Sequence, residues 1–363
     1  METQNMKTAS ILRPAAWAGL IALGLGTQAA LAEPLVYVPL GGEGKIIVAD
    51  AAKDEIVNTI SGVTAVHGLA RTPDGKFLVA GSFEEREAGG AAPKKPAGMS
   101  AEEHAAHHSA APAGAKKDGA AVSTVSVIRT ADGSVVRRIE VPGAVHHVAV
   151  SPNGRYAVVT HPSEGAITAI DLASYEIAAT LSTGPLANYA VFSPGSERVF
   201  ISNAGNNTVS EVDTGSWSVR RNISAGNSPE HMVSSQDGQR LYVANADGGT
   251  VSAIATKDGG TVKTFEIGGA LHGIDLSKDG NTLFVSALGQ NKLVAIDLST
   301  AKKREASVVP APYHLASVGN TGKLYISSAE QPSVWVVDQK NLAVLGKISI
   351  GGKGHQMVLS PGS

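Results

Sequence analysis

The chain has 363 residues, 17% charged, 43% hydrophobic and 4% aromatic, with 41 Gly, 17 Pro and no Cys. Without Cys there can be no disulfide framework, thiolate zinc site, iron–sulfur cluster, covalent c-type haem or lipidated Cys. A formal net charge of −2 excludes the basic footprint of a nucleic-acid partner. In chain order, Lys7 and Arg13 precede an apolar run from Ala15 to Leu31, and Ala30-Leu31-Ala32 is a small-x-small cleavage signal before Glu33. Residues 1–32 are read as the signal peptide of a periplasmic protein, with no membrane insertion after cleavage.

The remainder repeats. A phrase of apolar residues leading into Ser/Thr-Pro-Asp/Asn-Gly, or a variant of it, starts at His67, His146, Asn188, Glu230, His272, His314 and His355. The last five steps are 42, 42, 42, 42 and 41 residues, and the first is 79. A period near 42 built from short alternating strands is a β-propeller blade. The repeat from Asn188 shows four strands: Tyr189–Ser193, Arg198–Asn203, Thr208–Val212 and Ser218–Ile223. The last phrase, His355–Pro361, offers one strand. Leu35–Pro39, Lys45–Ala49 and Ile56–Ile60 supply its missing partners. The expected fold is all-β: a seven-bladed propeller of four-stranded blades, closed by N- and C-terminal strands in one blade. It forms a single domain over 33–363.

The long first step comes from an insertion over 84–119, rich in Ala, Gly, Lys and Pro, between the second and third strands of its blade. It lacks core-forming residues and is expected to be disordered. It carries His104, His107 and His108, the first and last spaced i, i+4.

The phrases Leu241-Tyr-Val-Ala-Asn245 and Val199-Phe-Ile-Ser-Asn203, with the Ser-Pro-Asn-Gly turn ending at Gly154, resemble the YVTN-type seven-bladed propeller repeat. The resemblance spans nearly all of the mature chain. It implies the fold and leaves function open, since that family includes binding scaffolds, lyases and electron-transfer partners.

Five of the 11 His open a repeat: His67, His146, His272, His314 and His355. Asn188 and Glu230 fill the other two places. His147 and His231 follow directly, and His161 lies after a second strand. The innermost strand should begin at the mouth of the central channel, so these imidazoles and the Glu230 carboxylate converge on one face with the arm. Neutral imidazole ligates zinc, copper, nickel and iron. The expected ligands are a subset, such as His67–His146–His355 or His272–His314–His355, completed by Glu230 or water. Whether Glu230 or His231 faces the channel stays open. His161 and His231 taken singly read as packing residues, and Asn203, Asn206 and Asn207 as turn formers. A competing reading makes the recurrent His a structural residue bonded to a neighbouring loop.

Nucleophile elbows, phosphate loops and helical zinc motifs are missing. Three functions follow. The first is a periplasmic metallochaperone for zinc, alternatively copper, that delivers to a solute-binding protein or transporter. In architecture and His placement it resembles the periplasmic zinc chaperones that serve zinc ABC importers. The second is a copper or divalent-metal propeller enzyme. The third is a protein-interaction scaffold without metal.

Overall fold

The computed structural model describes residues 1–2, 34–88 and 121–360. Contacts divide the chain into Met1–Leu31 and Ala32–Ser363, and the propeller is the second unit. The signal segment and His104, His107 and His108 fall outside the described residues.

Seven antiparallel sheets follow one another along the chain. Blade 1 joins Leu35–Leu40, Lys45–Asp50 and Glu55–Ser61 to the C-terminal Val358–Leu359. Blades 2 to 7 have inner strands Val66–Arg71, Val148–Val150, Ala187–Phe192, Pro229–Ser234, Ile274–Leu276 and Pro312–Val318. The strand boundaries read from the Asn188 repeat hold to within two residues, against Ala187–Phe192, Arg198–Asn203, Thr208–Asp213 and Ser218–Ser224. Closure also follows expectation: Tyr37 pairs with Val358 and Val36 with Leu359.

Local chemistry explains the repeat. In the turn after the inner strand, a hydroxyl donates to the carboxylate or amide two residues on. Thr72 reaches Asp74 at 2.6 Å, Ser151 reaches Asn153 at 2.7 Å and Ser235 reaches Asp237 at 2.6 Å. The following Gly75, Gly154 and Gly238 take φ near +70°, where a side chain is strained. At the end of the second strand, Asn203 Nδ2 donates to Thr208 and Ser210, and Asn245 Nδ2 donates to Thr250 and Ser252, all within 3.1 Å. The last residue of the Tyr-Val-Ala-Asn phrase thus ties the second strand to the third. Asn207, read as a turn former, has φ +60°.

The apolar residues form a core between each adjacent pair of blades rather than one central core. Tyr37, Ile46 and Val48 of blade 1 meet Leu69 and Leu78 of blade 2. Val36 and Val38 meet Tyr325 and Val336 of blade 7 across the closure. Burying each such Val, Ile or Leu contributes about 1.5–3 kcal/mol.

One element departs from the sequence reading. Arg86–Glu87, expected within the structureless insertion, pair with Val122 and Ala121. The third strand of blade 2, Ala121–Arg129, runs nine residues and overhangs its six-residue partner Phe77–Ser82. The chain returns to occupy that free edge.

Candidate metal centre

Several inner strands begin irregularly, and His67, His231 and His314 lie at such starts. Register shifts fall between Val66 and Gly68, Ala187 and Ala190, Pro229 and Met232, and Pro312 and Leu315. A bulge lets neighbouring residues depart from strict alternation of faces. Glu230 and His231 sit inside such a shift, both are buried, and their ligand atoms lie within 4.8 Å of each other. Second-strand hydroxyls satisfy the irregular backbone. Thr160 Oγ1 accepts from His147 N at 3.0 Å and donates to the Asn188 carbonyl of the next blade at 2.7 Å. Ser202 Oγ repeats this, accepting from Tyr189 N at 3.0 Å and donating to the Glu230 carbonyl at 2.6 Å. Gly68 lets the blades close up: a Cβ there would meet the His146 carbonyl and His147 Cα at 2.8 Å.

The result is one contiguous imidazole cluster. His67, His146, His147, His231, His272, His314 and His355 are 1–7% exposed, and Glu230 is 2% exposed. Ring centroids lie 4.3 Å apart for His355–His67, 4.4 Å for His67–His146 and 4.1 Å for His146–His147. They continue at 4.8 Å for His147–His231, 4.1 Å for His231–His272 and 4.7 Å for His272–His314. Among the described residues, three groups have ligand atoms all within 4.8 Å of one another: His67–His146–His147, His147–His231–His314 and Glu230–His231–His272. The trios expected from the first position of each repeat are not among them. His147 takes the place assigned to His355 beside His67 and His146, whereas His272 and His314 fall in different groups, each with His231; His355 sits beside His67.

Hydrogen bonds orient the rings. His67 Nδ1 lies 2.8 Å from the His146 carbonyl and His147 Nδ1 lies 2.9 Å from the Asn188 carbonyl. A carbonyl only accepts, so each Nδ1 carries the proton and each Nε2 keeps its lone pair. This is the outer-shell arrangement that aims ligating imidazoles. The structural role and a ligating role therefore use different nitrogens of one ring. His231 Nε2 donates to His147 Nε2 at 3.2 Å, a separation near the roughly 3.3 Å between two nitrogens on a tetrahedral ion with 2.0–2.1 Å bonds. Glu230 Oε2 is 3.5 Å from His272 Nδ1. Burial, then the His231, His147, His355 and His67 rings, hold His314 well below the usual histidine pKa. Its ring is thus neutral, as a ligand must be.

Aromatic and polar groups that the sequence reading did not single out surround the cluster. Tyr313 stacks on His272 at 3.8 Å, and Tyr189 packs edge-on against His147 and tilted against His231, each at 4.7 Å. Gln356 accepts from Leu69 N and Val148 N and donates to the Val148 carbonyl and Tyr189 OH, linking three blades. Burial pushes Asp275 up to about 6, and burial followed by Asp275 pushes Tyr189 up to about 12. Phe83, at the root of the insertion, lies 5.6 Å from the His67 ring. The signal for the tyrosines was their position beside the repeat starts, Asn188-Tyr189 and Tyr313-His314. His161 stands apart from the three groups, its Nδ1 donating to the Ala144 carbonyl at 3.0 Å and its Nε2 accepting from Thr168 at 2.9 Å.

The YNCE-like β-propeller family model matches residues 177–267. No curated protein matches the chain in sequence. Solved structures share the fold at low identity. The Pseudomonas aeruginosa periplasmic gluconolactonase PpgL is 17% identical with a TM-score of 0.67, over 91% of this chain and 99% of that one. A functionally unknown protein from Desulfotomaculum acetoxidans is 16% identical with a TM-score of 0.68, over 90% and 99%. Kuenenia stuttgartiensis hydrazine synthase is 16% identical with a TM-score of 0.65, over 89% and 100%. By its closed ring, its repeat and these likenesses, the chain is a seven-bladed β-propeller whose fourth and fifth blades match the YNCE-like β-propeller family.

Proposed function

We infer that this protein is an exported, periplasmic carrier of a transition metal, zinc first, which it holds at the hub and passes to a solute-binding protein or transporter. The supporting observation is the burial of seven imidazoles and one carboxylate in one cluster, with six of the imidazoles and the carboxylate in three overlapping ligand groups. Polar groups are desolvated at a cost, and a core this rich in donors has a physical reason when a cation completes it. Zinc accepts nitrogen and carboxylate oxygen ligands in tetrahedral array, which suits Glu230–His231–His272 with a fourth donor. His104, His107 and His108 on the arm would gather ions weakly before transfer inward.

Elemental analysis of protein purified from its native compartment tests this reading. At least one equivalent of colourless, chelator-removable zinc is expected. Protein that arrives metal-free and stays so in micromolar zinc overturns it. Copper is the second reading, favoured by the two groups that hold imidazole alone. Visible absorption or an electron paramagnetic resonance signal from bound copper would carry the protein to that reading and toward a redox role.

A further inference from the structure

The three ligand groups are not independent. His147 belongs to the first two and His231 to the last two, whereas the first and last have no residue in common. A neutral imidazole has one lone pair. His147 has its Nδ1 proton committed to the Asn188 carbonyl, so only Nε2 can ligate. A single histidine therefore serves one ion at a time. Two ions can occupy the end positions, or one ion the middle, and filling the middle takes a ligand from each end.

Resting on the metal reading above, we propose that the hub is a three-position transfer track for divalent transition metal, with a capacity of two ions, in which a cation moves from His67–His146–His147 through His147–His231–His314 to Glu230–His231–His272 by exchanging shared ligands. Each step keeps a ligand: His147 stays bound through the first and His231 through the second, so the ion is never released into the buried core. Further rings adjoin the ends. His355 lies 4.3 Å from His67, and His314 lies 4.7 Å from His272. The ends differ in charge. Only the last includes a carboxylate, which offsets half the charge of a buried divalent cation. That end fills first and is the terminus of the track.

Native mass spectrometry of the full mature chain with zinc alone tests the track. The wild type should take up two ions. His67→Ala and His272→Ala should each reduce this to one. The double variant H67A/H272A should still hold one, in the middle position, where two separate sites would leave none. His147→Ala, which breaks the first two groups together, should leave one. A wild type saturating at one ion or at three, or an empty double variant that still unfolds cooperatively, overturns the track while leaving metal binding intact. A wild type that binds no zinc overturns the metal reading itself. Should the double alanine variant fail to fold, H67N/H272N replaces it. Wild-type protein titrated with copper(II) gives an independent readout: the electron paramagnetic resonance signal of bound copper should keep growing up to two equivalents, and saturation at one overturns the two-ion state.

Discussion

At the scale of the residue, His161 and His314 show how one side chain serves opposite ends. Both are buried, but His161 has both ring nitrogens hydrogen-bonded, to the Ala144 carbonyl and to Thr168. Burial lowers its pKa from 6.5 to about 4. The unfolded chain binds the extra proton between those values, so the stabilisation is complete above pH 6.5 and is lost as pH falls toward 4. The shift corresponds to about 3 kcal/mol. Urea unfolding at pH 7.5 and pH 5 should show a smaller pH dependence for His161→Gln than for the wild type. Equal slopes would remove His161 as the cause. Zinc stoichiometry should be the same in both proteins, because no ligand group includes this residue. His231 illustrates the reverse. Taken alone it reads as a packing residue, yet it belongs to two of the three groups. Its role depends on His147, 84 residues away.

The element that matters most is the irregular start of each inner strand. A regular strand would alternate faces and send Glu230 and His231 to opposite sides of the blade. The shift between Pro229 and Met232 brings both inward, which is why alternation alone left that register open. The hydroxyl relays hold these starts in place. Thr160→Val removes both bonds of its hydroxyl while keeping the shape. It should cost about 1–3 kcal/mol in chemical unfolding and weaken zinc by about tenfold or more through a loosened His147. Unchanged affinity in a calorimetric titration would separate the relay from the centre. The Asn at the end of each Tyr-Val-Ala-Asn phrase was legible as a motif. Its job of bridging to the third strand was not, because the hydroxyls it meets lie five and seven residues further on.

For the whole molecule, closure links stability to the site. The C-terminal segment supplies the fourth strand of blade 1, and Leu35 N donates to Ser360 Oγ at 2.9 Å. The same segment carries His355 and Gln356 into the hub. Truncation after Gly354 should therefore abolish cooperative thermal unfolding, followed by circular dichroism. A retained sharp transition would show that the ring holds without its clasp. Deletion of 89–119, joining Ala88 to Ala120, spares Phe83 and the Arg86–Glu87 pairing. It should leave melting temperature and zinc stoichiometry unchanged and slow loading in stopped-flow measurements with a zinc dye. Equal loading rates would end the role of the arm.

The sequence by itself determined the architecture. The 42-residue period, the hydroxyl-Pro-Asp-Gly turns and the split final blade are local patterns, and local chemistry decides strands, turns and closure. Its repeat phase also placed seven histidines and Glu230 at or beside the starts of the inner strands. Only the tertiary structure decided how they group. Sharing a cation depends on angstrom-scale separations across blades. Those follow from strand bulges, from a glycine that admits the neighbouring backbone and from carbonyls that choose which ring nitrogen stays open, none of which has a signature within a single repeat.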